Sequence, residues 1–152
     1  MPEPSDFSPP RLSYAVARLE RILRQRIAKS VEPHGLNVSQ YTTLSILGRR
    51  SGLSNAQLAR RTYITPQAMN QVLDQLTQAG LVERQPHATH GRILKTELTP
   101  EGRTILERCD ATVDLVEAEM LQNMSKDESH ALLQALLKCV RSLHGGFERT
   151  EP

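Results

Sequence analysis

The stretch from Ser54 to Arg92, SNAQLARRTYITPQAMNQVLDQLTQAGLVERQPHATHGR, decides the fold. Ser54 is followed three residues later by Gln57, the spacing of a capping box, in which hydroxyl and amide satisfy each other's unpaired backbone donors at a helix start. A second helix opens at Thr65-Pro66: Thr caps, and Pro, fixed in φ and lacking an N–H, fits the first helical position. Gly80 closes it. Two short helices joined by a tight turn are therefore expected, followed by a hairpin that ends in a basic residue.

At about 100° per residue, the second helix separates into two faces. Ala68, Met69, Val72, Leu73, Leu76 and Ala79 fall on one arc; Gln67, Asn70, Gln71, Asp74, Gln75 and Gln78 fall on the other. A merely solvated face would carry mostly Lys, Glu and Arg. Here a single residue of the polar arc is charged. Carboxamides carry both a donor and an acceptor, which suits bidentate pairing to the N6/N7 edge of adenine.

A length of 152 residues is that of one domain, large enough to bury a core. Aromatic residues make up 3% and Trp is absent, so the core must be aliphatic, which favours helices. No apolar run approaches the roughly 20 residues of a membrane span, and MPEPSDFSPP lacks the basic and apolar regions of a signal peptide. A soluble, cytoplasmic protein is expected. Cys109 and Cys139 have no metal-ligand spacing; both lie on apolar stripes and are expected as buried thiols. The net charge of +2 hides an asymmetry. From Arg49 to Lys95 seven basic residues face two acidic ones, a net of +5; from Thr96 to Pro152 six face eleven, a net of −5. The middle is built to meet a polyanion.

Residues 1–10, with four prolines, read as an extended arm. A helix is expected from about Arg11 to Val31, with Leu12, Val16, Leu19, Leu23 and Ile27 on one stripe and Arg18, Arg21, Arg24 and Arg26 on its flanks. Pro33-His34-Gly35 breaks it. Ser39 is expected to cap a second helix carrying Tyr41, Leu44 and Leu47 and ending near Arg50. After Gly80, Leu81–Gln85 and Arg92–Leu98 read as the strands of a small wing. Thr99-Pro100-Glu101 starts a long helix with the stripe Ile105/Leu106, Cys109, Val113, Val116, Met120 and Met124. The capping box Ser125-Lys126-Asp127-Glu128 opens a last helix with Leu132, Leu133, Leu136, Val140 and Leu143, ended by Gly145-Gly146.

With this order the chain resembles the MarR family of transcriptional regulators. The resemblance runs from Leu12 to Leu143 and is carried by Asn55-Ala56-Gln57-Leu58-Ala59, by Val72-Leu73-Asp74-Gln75-Leu76-Thr77-Gln78-Ala79-Gly80-Leu81-Val82-Glu83-Arg84, by Arg92, and by Leu98-Thr99-Pro100-Glu101-Gly102. It implies a mainly α fold with a β-hairpin wing: a winged helix-turn-helix over about 38–98 and dimerisation helices over about 11–32 and 99–145, with 146–152 as a tail. It further implies a homodimer on a pseudo-palindromic operator, helix 65–79 in the major groove and wing 85–92 in the minor groove. Two departures stand out. Gln71 and Gln75 stand where relatives often carry Arg or Lys, and His90 stands where many relatives have an Asp that steadies the wing arginine, here Arg92.

The residues expected at DNA are Arg60, Arg61, Thr65, Gln67, Asn70, Gln71, Gln75, Arg84, His90 and Arg92. Tyr63, in the turn, either touches phosphate or packs on Leu58. Many relatives release DNA on binding an anionic phenolic compound; by position, Tyr14, Arg18, His34 and Tyr41 would line such an effector site. The loop pair His87 and His90, without nearby Cys or ordered carboxylates, reads as exposed histidines near phosphate rather than as a metal site. No cofactor is expected. The leading function is a dimeric, effector-responsive regulator, a repressor; the alternative is a helical protein–protein interaction module without sequence-specific DNA binding. An enzyme is disfavoured, because the sequence has no nucleophile–base arrangement, glycine-rich phosphate loop or Cys/His cluster.

Overall fold

The computed structural model describes residues 9–89 and 91–143. Six α-helices and one hairpin follow in the order α1 (Leu12–Val31), α2 (Val38–Arg49), α3 (Asn55–Thr62), α4 (Pro66–Gln78), β1 (Val82–Pro86), β2 (Leu94–Leu98), α5 (Pro100–Met120) and α6 (Lys126–Ser142), with a 3₁₀ turn at Glu32–His34. No described helix is long and apolar enough to cross a membrane. The arm, Gly145-Gly146 and the tail lie outside the described residues.

Local chemistry sets most boundaries. Ser54 Oγ accepts the Gln57 N–H while Gln57 Oε1 accepts the Ser54 N–H, and Ser125 and Glu128 repeat the pattern at α6. The hydrogen bonds from Ser125 hold the Glu128 carboxyl below its usual pKa. Thr65 and Thr99 cap α4 and α5, each with Pro in the first helical position. At α2 the expected cap is wrong by two residues. Asn37, not Ser39, is the N-cap, because its side chain accepts from Gln40 N and the Gln40 side chain returns the bond to Asn37 N.

The hairpin also begins later than expected. Gly80, at φ +71°, and Leu81 donate to Thr77 O and Leu76 O, the paired bonds of a Schellman motif. Leu81 thus completes the end of α4, and the first strand starts at Val82. The return strand starts at Leu94, which leaves Arg92 and Ile93 in the turn. The two strands pair antiparallel, with Val82 opposite Leu98 and Arg84 opposite Thr96. Leu53 adds a bridge to Thr96, so the loop before α3 is laced to the wing.

One aliphatic core lies under the wing and helices α2 to α4. Leu44, Leu47, Leu53, Leu58, Met69, Leu73 and Leu76 are fully or almost fully buried there, joined by Leu106, Cys109 and Val113 from α5. Ala79, expected on the apolar face, is exposed, since α4 has ended at Gln78. Met124 falls in the turn after α5 rather than on its stripe. Gly102 packs its backbone directly on Leu81, where a Cβ would lie 1.9 Å from the carbonyl oxygen. Thr99 reinforces that joint: its N–H donates to Leu81 O at 3.1 Å and its hydroxyl to Gly80 O at 2.6 Å.

The terminal helices behave differently. Of α1 only Val31 is buried, and α6 buries no residue. Leu12, Val16, Ile22, Leu133, Leu136, Leu137, Val140 and Leu143 are all exposed. Cys139, on the same stripe of α6, is exposed as well, contrary to its expected burial; Cys109 is buried. Among the described residues α6 has no core to face.

Candidate nucleic-acid interface

Helix α3 stops at Tyr63, which adopts the left-handed conformation at φ +57° and leaves its ring exposed. That backbone reversal turns the chain in the space of Tyr63 and Ile64, and Thr65 starts α4 across the buried Leu58 and Ala59. Met69, Val72, Leu73 and Leu76 point into the core, and the opposite arc is consequently forced outward. Gln67, Asn70, Gln71, Asp74, Gln75 and Gln78 are all exposed, as the helical wheel requires.

The polar arc is braced rather than loose. Asn55 Nδ2, at the start of α3, donates to Asn70 Oδ1. Gln40 Nε2, in the first turn of α2, donates to Gln75 Oε1 at 3.0 Å. Asp74 pairs with Arg84 of β1 at 3.5 Å. Gln67 and Gln71 make no side-chain hydrogen bond among the described residues. Of the five amides on the arc, Gln67, Gln71 and Gln78 are unengaged among the described residues, and Asn70 and Gln75 have their oxygens already occupied.

Arg84 departs from its expected surroundings. Its side chain is only 22% exposed and reaches toward Asp74, which partly neutralises it. Arg92 is exposed and shares with Arg84 a cleft of about 320 Å³ lined by Ser54, Asn55, Ala56, Ile93 and Leu94. Two guanidiniums thus sit beside the N-terminus of α3, where backbone N–H groups and the helix dipole favour an anion. Arg60 is exposed and Arg61 half-buried in the last turn of the same helix, and Thr65 is exposed beside them. In the wing, His87 Nδ1 accepts the Thr89 N–H at 3.1 Å, so this ring shapes the turn. His90 lies outside the described residues.

The residues expected at an effector do not all share the cleft beside Tyr41. Tyr14 and Arg18 stand exposed on α1, and His34 is half-buried in the 3₁₀ turn. Tyr41 is buried and donates its hydroxyl to Asp110 Oδ1 at 2.7 Å. Burial, then the adjacent carboxylate, push its pKa well above the ordinary tyrosine value. The cleft beside it, about 380 Å³, is lined by Arg49 and Arg103 but also by Glu107, Asp110, Asp114 and Glu117. Tyr14, Arg18 and His34 do not line it. Four carboxylates against two guanidiniums make that cleft unfavourable to an anion.

Sequence reasoning missed Asn37, Gln40 and Asn55 as partners of the polar arc. Asn37-x-x-Gln40 had the capping-box spacing and was legible; the contacts of Gln40 with Gln75 and of Asn55 with Asn70 cross between helices and left no local signal.

Comparison with known proteins completes the picture. The MarR family model matches residues 34–93. The HTH-type transcriptional repressor Rv2887 of Mycobacterium tuberculosis is 35% identical over 127 residues, covering 84% of this chain and 91% of that protein. Its crystal structure in complex with DNA superposes with a TM-score of 0.71 at 31% identity, covering 86% of this chain and 98% of the other. The complex of the same protein with p-aminosalicylic acid gives a TM-score of 0.71 at 32% identity over the same shares. With this identity and shared fold along most of its length, the chain belongs to the MarR family of DNA-binding transcriptional regulators.

Proposed function

We propose that the protein acts as a homodimeric repressor that binds a pseudo-palindromic operator, each protomer placing α4 in the major groove and its wing against the flanking minor groove. The observation that carries the reading is the outward polar arc of α4, with Gln67, Asn70, Gln71 and Gln75 on it. Arg92, Arg60 and Arg61 flank that arc, and Thr65 begins it. Amides supply base contacts and the surrounding cations supply phosphate contacts. Arg84, largely engaged with Asp74, acts by holding the wing to α4.

The exposed apolar faces of α1 and α6 support the dimer. An apolar stripe of this length on a water-facing helix marks an interaction surface. A second copy supplies a self-complementary one. Burying each Leu contributes about 1.5–3 kcal/mol, so the stripe of α6 holds enough unspent burial to drive association.

Release by a small anionic aromatic effector is the second part of the proposal. It is supported by the p-aminosalicylic acid complex of Rv2887 and by the exposed Tyr14 and Arg18 on α1. Footprinting on the DNA around the protein's own coding region, at several salt concentrations and with salicylate added, tests both parts. A protected two-fold site that weakens steeply with salt and with salicylate is expected. No protected site would reject the operator reading, and protection indifferent to salicylate would reject release by this class of effector.

A further inference from the structure

The amides of α4 are not equivalent, and one of them has its orientation set from outside the DNA-reading helix. The backbone N–H of Asn37 can only donate, and it lies 2.9 Å from Gln40 Oε1. The oxygen of Gln40 must therefore face Asn37, which puts its NH₂ on the other side of the carboxamide. That NH₂ is 3.0 Å from Gln75 Oε1. An amide nitrogen cannot accept, so Gln75 must turn its oxygen toward Gln40 and its own NH₂ away from α2. The capping box of α2 thereby dictates which end of Gln75 faces outward from α4.

Resting on the reading of α4 as a major-groove helix, we propose that Gln40 is a positioning residue for base recognition. It holds Gln75 as a hydrogen-bond donor, so that this position favours edges whose groups accept, guanine O6/N7 or thymine O4, over adenine, whose N7 acceptor stands beside the donor N6, and over cytosine. This changes the expectation drawn from the sequence. A free glutamine pairs with adenine by using its oxygen for N6 and its NH₂ for N7. Gln75 has its oxygen turned back into the protein and keeps only half of that pairing. Asn70 Oδ1 accepts from Asn55 Nδ2, a contact between two amides with no backbone donor fixing its sense.

The decisive variant is Gln40→Glu. Glutamate at this position still accepts the Asn37 N–H, as glutamates at the third position of capping boxes do, so α2 stays capped. Its second oxygen, however, can only accept, and this turns the Gln75 amide over, oxygen outward. Selection of binding sites from a random duplex library is the measurement, with wild type, Gln40→Glu, Gln75→Ala and the double variant compared. Wild type is expected to prefer guanine or thymine at one position of each half-site. Gln40→Glu should shift that position toward cytosine or adenine, whose amino groups donate, by about fivefold or more. The added charge weakens all duplexes alike and leaves the ratio between bases untouched. In the Gln75→Ala background the substitution at Gln40 should change no position.

An identical motif for wild type and Gln40→Glu would overturn the proposal, and so would a shift that persists without Gln75. A purely structural role for Gln40 would lower the melting temperature and all affinities together without changing the motif, which also contradicts it. A wild-type protein that selects no motif at all would instead reject the DNA-reading of α4 itself.

Discussion

The lobe formed by α2, α3, α4 and the wing and the pair of terminal helices α1 and α6 are built from the same aliphatic residues but use them in opposite ways. In the lobe Leu44, Leu47, Leu58, Leu73 and Leu76 are closed off from water and the helix ends are capped; in α6 the leucines at 133, 136, 137 and 143 face outward. The charge divides differently: the lobe segment from Arg49 to Lys95 is net positive, α1 is positive too with five basic residues to one acidic, and the negative charge sits on α5, with six acidic residues to two basic. The difference teaches that one part closes its core among its own helices, while the other leaves an apolar face open, as the proposed dimer requires. A basic, self-contained reader is joined to terminal helices whose apolar faces stay open, the faces assigned above to the proposed second copy.

The sharpest way to break this comparison is to make the terminal face polar. Leu136→Glu combined with Val140→Glu should yield a monomer in analytical ultracentrifugation, with the circular dichroism of the lobe helices retained. Because two linked lobes bind through effective concentration, operator affinity should fall by about 10²-fold or more. A variant that stays dimeric would place the interface elsewhere. Leu73→Ala should have the opposite profile. It opens a cavity in the closed core and should lower stability by about 2–5 kcal/mol in urea unfolding, with the dimer constant little changed.

Smaller effects sharpen the assignment within the lobe. Arg92→Ala should weaken binding to operator and random duplex alike and reduce the slope of log K against log salt by about 1, without dissociating the dimer. An unchanged slope in fluorescence anisotropy titrations would remove Arg92 from the phosphate contacts. Tyr41→Phe should cost about 1 kcal/mol by removing the donor to Asp110. The fold favours the neutral phenol and raises its pKa, so this advantage is present below the unfolded value and lost as pH climbs past about 10. The stability gap between wild type and Tyr41→Phe should close over that alkaline range.

Most helix starts, in the lobe and at α6, were legible in the sequence because their signals are local. Ser54 with Gln57, Thr65 with Pro66, and Ser125 with Glu128 each declare a helix start within four residues, and all three stand in the structure. Asn37 was legible by the same rule and lost only to the competing cap candidate Ser39. Leu81 was read as strand because its hydrophobicity fits one, whereas Gly80 beside it uses its N–H to finish a helix. What could not be read is what depends on distant parts of the chain. The Leu53–Thr96 bridge, the Asp74–Arg84 pair and the Gln40–Gln75 contact join residues that no periodicity relates. The exposure of Cys139 is a different case: its stripe was visible, but the described residues supply no surface to cover it.

The central claim is that each chain is half of a two-fold DNA reader. Selection from a random duplex library with purified wild-type protein, scored for the symmetry of the enriched sequence, tests it most directly. The account predicts an inverted repeat whose half-sites are centred about one helical turn, roughly 10 base pairs, apart. Enrichment of a single unrepeated half-site, or of no sequence at all, would contradict it.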